Sequence, residues 1–187
     1  MGMDNLTLLR PKERAAALRT LEAVREWLAP QGLDISLSTE NNDDSSLLGL
    51  YEAGSVFSKT IEVTVFTENI RKVAEELETD EVQFELISFG LVPRRDLLSQ
   101  YTALNIGLTI CHELGHALLE QIIDWMENIP DFDDKVGTDF IERYDSVLDD
   151  GLPEEDLVED FAWDTASGKT HVLKACFLEL SDILSKD

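Results

Sequence analysis

Apolar residues recur every three or four positions from Ala17 through Leu18, Leu21 and Val24 to Leu28, with Pro11 ahead of them and Pro30 and Gly32 behind. That spacing predicts a helix opened by Pro11 and packed by one face. From Leu33 to Ser38 apolar and polar residues alternate, the period of a half-buried strand, and Asn41 to Ser46 reads as a turn or loop. The stretch from Leu47 to Thr67 is rich in strand formers, with Ile61, Val63 and Val65 alternating with Glu62, Thr64 and Phe66. A short helix is expected to begin near Arg71 and run to Leu77. A further strand is expected from Glu81 to Leu91, where Val82, Phe84 and Leu86 share one face and Gly90 and Pro93 close the run.

After Asp96 the period changes. Leu104, Leu108, Cys111, Gly115, Leu118 and Ile122 fall three or four apart, one apolar stripe facing a core. Between Asp131 and Asp160 thirteen acidic residues stand against Lys135 and Arg143, and Pro130, Gly137, Gly151 and Pro153 interrupt the run. This segment reads as exposed loops with short helices. Two more helical segments follow, from about Glu154 to Gly168 and from about His171 to Leu184. With no internal repeat and no low-complexity linker, residues 1–187 read as a single domain of α+β class. It comprises an N-terminal helix, a small mixed sheet, a buried central helix and a C-terminal helical part.

Charge narrows the possible partners. The 187 residues carry 39 Asp and Glu against 15 Lys and Arg, a formal net charge of −24, with 43% hydrophobic residues, enough for one core. Such a surface repels phosphate backbones and anionic headgroups, so neither nucleic acid nor a membrane surface is expected as a partner. Met1 to Arg10 holds no apolar core of secretory-signal length. The most apolar stretch, Tyr101 to Ile123, is interrupted by His112, Glu113, His116 and Glu120 and reads as a soluble-protein helix. Two cysteines, Cys111 and Cys176, are too few for a disulfide framework, and a reducing, cytoplasmic setting is expected.

The chemistry concentrates in His112-Glu113-Leu114-Gly115-His116. Two imidazoles four residues apart on a helix lie one above the other and can reach one metal ion, with the glutamate on the flank of the pair. The chain has only three histidines, which makes this placement a specific signal. Thr109, Ile110, Cys111, Ala117 and Leu118 keep charge away from the motif, as a helix beside a buried metal requires. Cys111 falls on the apolar stripe and reads as an inert buried thiol.

The motif and its flanks resemble those of the zincin metallopeptidases, which have Thr or Val three before the first His and an apolar residue two beyond the second. The metzincin extension is absent, since Leu119 and Ile122 stand where that group has Gly and His. The aspzincin pattern is half echoed by Gly137-Thr138 and Tyr144, but Ile141 occupies its ligand position. Glu159-Asp160-Phe161-Ala162 is similar to the helix that supplies the carboxylate ligand in gluzincins, whose compact relatives include ImmA/IrrE-type peptidases and the lethal-factor catalytic domain. The resemblance implies one zinc ion on His112, His116 and Glu159. Glu155, one helical turn earlier, is the alternative, with Val158 where that register has a small residue.

The same resemblance implies a peptidase in which Glu113 is the general base and Tyr144 or His171 stabilises the transition state. It also implies a peptide substrate lying antiparallel to an edge strand, for which Lys59 to Thr67 is the expected segment. The acidic surface favours a neutral or basic peptide. Trp27, Trp125 and Trp163 read as packed side chains, and Trp163, directly after Phe161-Ala162, could also line a pocket wall. A different class of function fits the same composition, a zinc-containing but non-catalytic protein that captures a basic partner on its acidic surface.

Overall fold

The computed structural model describes residues 4–44, 46–52, 59–148 and 154–186. The breaks expected at Gly151 and Pro153, and part of the strand-rich stretch between Leu47 and Thr67, lie outside the described residues. Helix α1 (Pro11–Leu28) starts at Pro11, whose missing N–H is one the first turn cannot use, and buries Ala17, Leu21, Val24 and Leu28. A 3-10 turn over Ala29–Gln31 ends it, and Gly32 at φ 74° turns the chain into the sheet.

Three strands follow, β1 (Asp34–Glu40), β2 (Gly49–Glu52) and β3 (Thr60–Phe66), in the order β1-β3-β2. β1 runs parallel to β3 with Ile35 beside Ile61 and Leu37 beside Val63, while β2 runs antiparallel with Gly49 beside Val65 and Tyr51 beside Val63. Lys59 to Thr67 is therefore not an edge. Both sides of β3 are paired, and among the described residues the strand at the margin beside the central helix is the four-residue β2.

Helix α2 (Thr67–Glu76) and helix α3 (Thr79–Ser88) come next. The second occupies the segment whose alternation suggests a strand. Val82 and Leu86, four apart, are buried, whereas Phe84 between them is 73% exposed, the burial pattern of a helix. Glu81 also accepts the backbone N–H of Glu78, closing the first turn of α3.

Helix α4 (Leu97–Asn128), about 48 Å long at 1.5 Å per residue, is the spine. Ile106, Ile110, Leu114, Leu118 and Ile122 are fully buried along it, and α1, α2, α3, β2 and β3 all pack on it. Short helices α5 (Phe132–Val136), α6 (Thr138–Arg143) and α7 (Asp145–Leu148) occupy the acidic segment. Helices α8 (Glu154–Ala166) and α9 (Val172–Leu184) then return to α4. The described part of the chain is thus α+β, mostly helical, with a small mixed sheet. Among the described residues no helix is long and apolar enough to cross a membrane.

One ion pair ties α1 to α2 inside this framework. Glu13 and Arg71 are buried, and the guanidinium donates to both carboxylate oxygens, at 2.6 and 3.1 Å. Arg71 also donates to the Leu8 carbonyl, and Glu13 accepts the Arg10 N–H at 2.7 Å. Burial pushes the Glu13 carboxyl up, but the bonds from Arg71 and Arg10 outweigh it and hold the group below its ordinary value of 4.5. Glu13→Ala leaves Arg71 with only Glu68 and the Leu8 carbonyl as partners and is expected to cost about 1–3 kcal/mol in urea unfolding at neutral pH. Because the native carboxyl is depressed, its contribution is complete above the ordinary value and is lost as pH falls through the native one. The gap between wild type and Glu13→Gln should therefore close in acid.

Candidate metal centre

The central turns of α4 carry His112 and His116 on one face. Their Nε2 atoms lie 3.1 Å apart, with the rings edge to face at 78°. Across from them the first turn of α8 presents Glu155, one carboxylate oxygen 3.6 Å from His112 Nε2 and the other 3.6 Å from His116 Nε2. Two ligands of a tetrahedral zinc at about 2.0–2.1 Å from the ion are separated by about 3.3 Å, so the imidazole pair has the separation such a donor set needs. His112, His116 and Glu155 form a group whose ligand atoms all lie within 4.8 Å of one another.

Glu154 completes the arrangement. Its carboxylate lies 2.7 Å from His116 Nδ1, which therefore carries the proton and donates, leaving the Nε2 lone pair aimed at the shared point. The His116 ring lies flat against Tyr51 of β2, at 5.7 Å and 7° between planes. Burial, and secondarily the neighbouring His116, push His112 down from its ordinary value against the pull of Glu155 and Glu159. The neutral imidazole is the form that binds metal.

Glu113 lies on the flank of the pair and is not part of the three-ligand group. It is 8% exposed, and burial pushes its carboxyl up to about 7. The charge of Glu155 adds to that rise, and His116 and the Tyr51 backbone N–H oppose it. The edge strand comes this close because Gly49 has no side chain. A Cβ there would stand 2.7 Å from Glu113 Oε1 and 2.6 Å from Thr109 Cγ2.

These residues face a cavity of about 680 Å3. Among the described residues, Glu85, Glu113, Glu155 and Glu159 line it, with no Lys or Arg. Trp163 forms part of the wall, stacked on Phe89 at 4.1 Å between ring centres. Glu159 thus shares the cavity but stands outside the three-ligand group, one turn beyond Glu155 along α8. Tyr144 and His171 are not in the lining. The Tyr144 hydroxyl donates to Glu179 at 2.7 Å, and His171 Nδ1 accepts the Leu173 N–H at the start of α9. Cys111 is fully buried, and burial pushes its thiol up to about 12, which keeps it protonated.

Three contributors carry no signal in the sequence read alone: Glu154, Tyr51 and Gly49. Only the docking of α8 and β2 against α4 reveals them. The docking of α8 has a visible cause. At Gly115 a Cβ would lie 2.9 Å from both Phe161 Cδ1 and Val158 Cγ1, so the bare backbone of α4 is what α8 rests on.

Comparison with protein-family models, with curated proteins and with solved structures finds no match.

Phe161 and Val158 are fully buried and have no room to withdraw. Gly115→Val is therefore expected to lower stability by about 1–3 kcal/mol in urea unfolding through overpacking. A crystal structure of the variant should also show Glu155 farther from the histidines, because α8 can dock only by shifting away from α4.

Proposed function

We propose that this chain is a zinc-dependent peptidase of gluzincin type, with one ion on His112, His116 and Glu155 and Glu113 as the general base. One observation carries the reading: two imidazole Nε2 atoms and the Glu155 carboxylate converge on one point, beside a buried carboxylate that takes no part in the convergence. The distances favour Glu155 over Glu159 as third ligand.

Zinc bound by two neutral imidazoles and a carboxylate retains positive charge, acidifies a water and polarises a carbonyl. The protein's own groups divide the remaining work. Glu154 fixes the tautomer and orientation of His116 through Nδ1. Glu113 accepts the proton of the attacking water and returns it to the leaving amine, so that a peptide bond breaks and a carboxylic acid and an amine form. The Tyr51 N–H orients Glu113 during both transfers.

Substrate placement follows from the edge. Among the described residues β2 pairs with β3 alone, so its other side offers backbone groups to an extended peptide beside the cavity. Among the described residues the lining has four glutamates and no Lys or Arg, which favours a neutral or basic chain there.

Elemental analysis of untagged protein tests the metal set, and a peptide library tests the chemistry. Wild type should hold about one zinc per chain. His116→Ala and Glu155→Ala should lose it, and Glu159→Ala should keep it. Glu113→Gln should keep zinc while hydrolysis falls at least a hundredfold. Hydrolysis unchanged in Glu113→Gln would overturn the mechanism. Zinc retained by a wild type that cleaves nothing would move the reading to a non-catalytic zinc protein.

A further inference from the structure

A second cavity, of about 570 Å3, lies where α1, α4, the end of α8 and the loop 91–96 meet. Among the described residues every charged side chain lining it is basic: Lys12, Arg19 and Arg94. In a chain with 39 acidic residues, and beside a metal-centre cavity lined by four glutamates, that is a local inversion of sign. Lys12 is paired with Asp96. Arg19 and Arg94 make no ion pair among the described residues, so both guanidiniums retain their donors.

The surroundings hold these charges in place around an apolar interior. Gln100 accepts the Arg94 N–H at 2.7 Å and donates to the Val92 carbonyl at 3.2 Å, which fixes the loop that carries Arg94. Thr165 Oγ1, on a lining residue, is buried without a hydrogen-bond partner. Ala16, Val24, Leu104 and Gly107 make the interior apolar. Ala15, Ala16, Ala23, Ala103, Gly107 and Ala166 are the small positions among its lining.

We infer that this cavity binds a small amphipathic anion, a short aliphatic chain ending in a carboxylate or a phosphate monoester. Arg19 and Arg94 hold the head as a guanidinium fork holds an oxyanion, and the chain lies on the apolar interior. A polyanion does not fit the same site, because its neighbouring charges would run along a surface of net charge −24. A single small anionic head meets only the basic rim. This site does not depend on the peptidase reading.

Calorimetric titration of the full chain with octanoate and with octyl phosphate tests the proposal. At least one of them should bind at one site per chain, and octylamine should not. The double variant Arg19→Gln/Arg94→Gln removes exposed, unpaired side chains, so it leaves the fold intact, as its thermal melt would verify. It should bind the anion at least tenfold more weakly. Whichever head binds more tightly identifies the natural ligand as carboxylate or phosphate. Absence of binding by both anions at millimolar concentration would overturn the proposal, as would equal affinity in the double variant. His116→Ala should bind the anion as wild type does. Loss of binding in that variant would place the anion at the metal centre instead.

Discussion

Where Gly115 leaves α4 without a side chain, Phe161 and Val158 of α8 come to rest against the helix itself. The first turn of α8 carries Glu154 and Glu155, and the depth of that seat sets how far those carboxylates stand from His116 and His112. A side chain at position 115 would hold the two helices apart. The metal centre would then be a histidine pair with no carboxylate facing it. Gly49 performs the corresponding service on the other side, admitting the edge strand to the flank of Glu113. Two missing Cβ atoms thus fix the approach of both elements that enclose the motif, and the spine of α4 carries the load between them.

Charge is distributed with the same economy. The surface repels anions as a whole, and the metal-centre cavity concentrates that character with four glutamates. The fold places a cation where it needs one inside. Arg71 is nearly buried and satisfied by two oxygens of Glu13 and the Leu8 carbonyl, so its charge is neutralised where it lies. The cavity lined by Arg19 and Arg94 differs because, among the described residues, no carboxylate pairs with those two guanidiniums.

Much of this was legible in the residues. The 3.6 period and terminal prolines mark α1, and the histidine pair with its uncharged flanks marks the middle of α4. The misread segment is instructive. Val82, Phe84 and Leu86 satisfy an alternating pattern, but Val82 and Leu86 also satisfy a helical one, and only the exposure of Phe84 separates them. Strand order was likewise invisible, because alternation gives the two faces of β3 and says nothing about which neighbours pair with its edges. The choice between Glu155 and Glu159 could not be made from spacing either. Residues four apart share a helix face, and the axial position at which α8 seats on α4 is a tertiary quantity. Tyr144 and His171 looked equally available until their bonds to Glu179 and the Leu173 N–H were in view.

Two histidines on one unbroken helix of 32 residues, and a carboxylate on a helix that merely leans against it, divide the metal centre into a fixed half and a removable half. The imidazoles keep their separation for as long as α4, on which the core is built, is intact. The carboxylate leaves whenever α8 lifts from its seat. Under the metal set proposed above, exchange of an ion with solvent would need only the undocking of one helix, and its rate would be a clock for that single motion, separable from global unfolding.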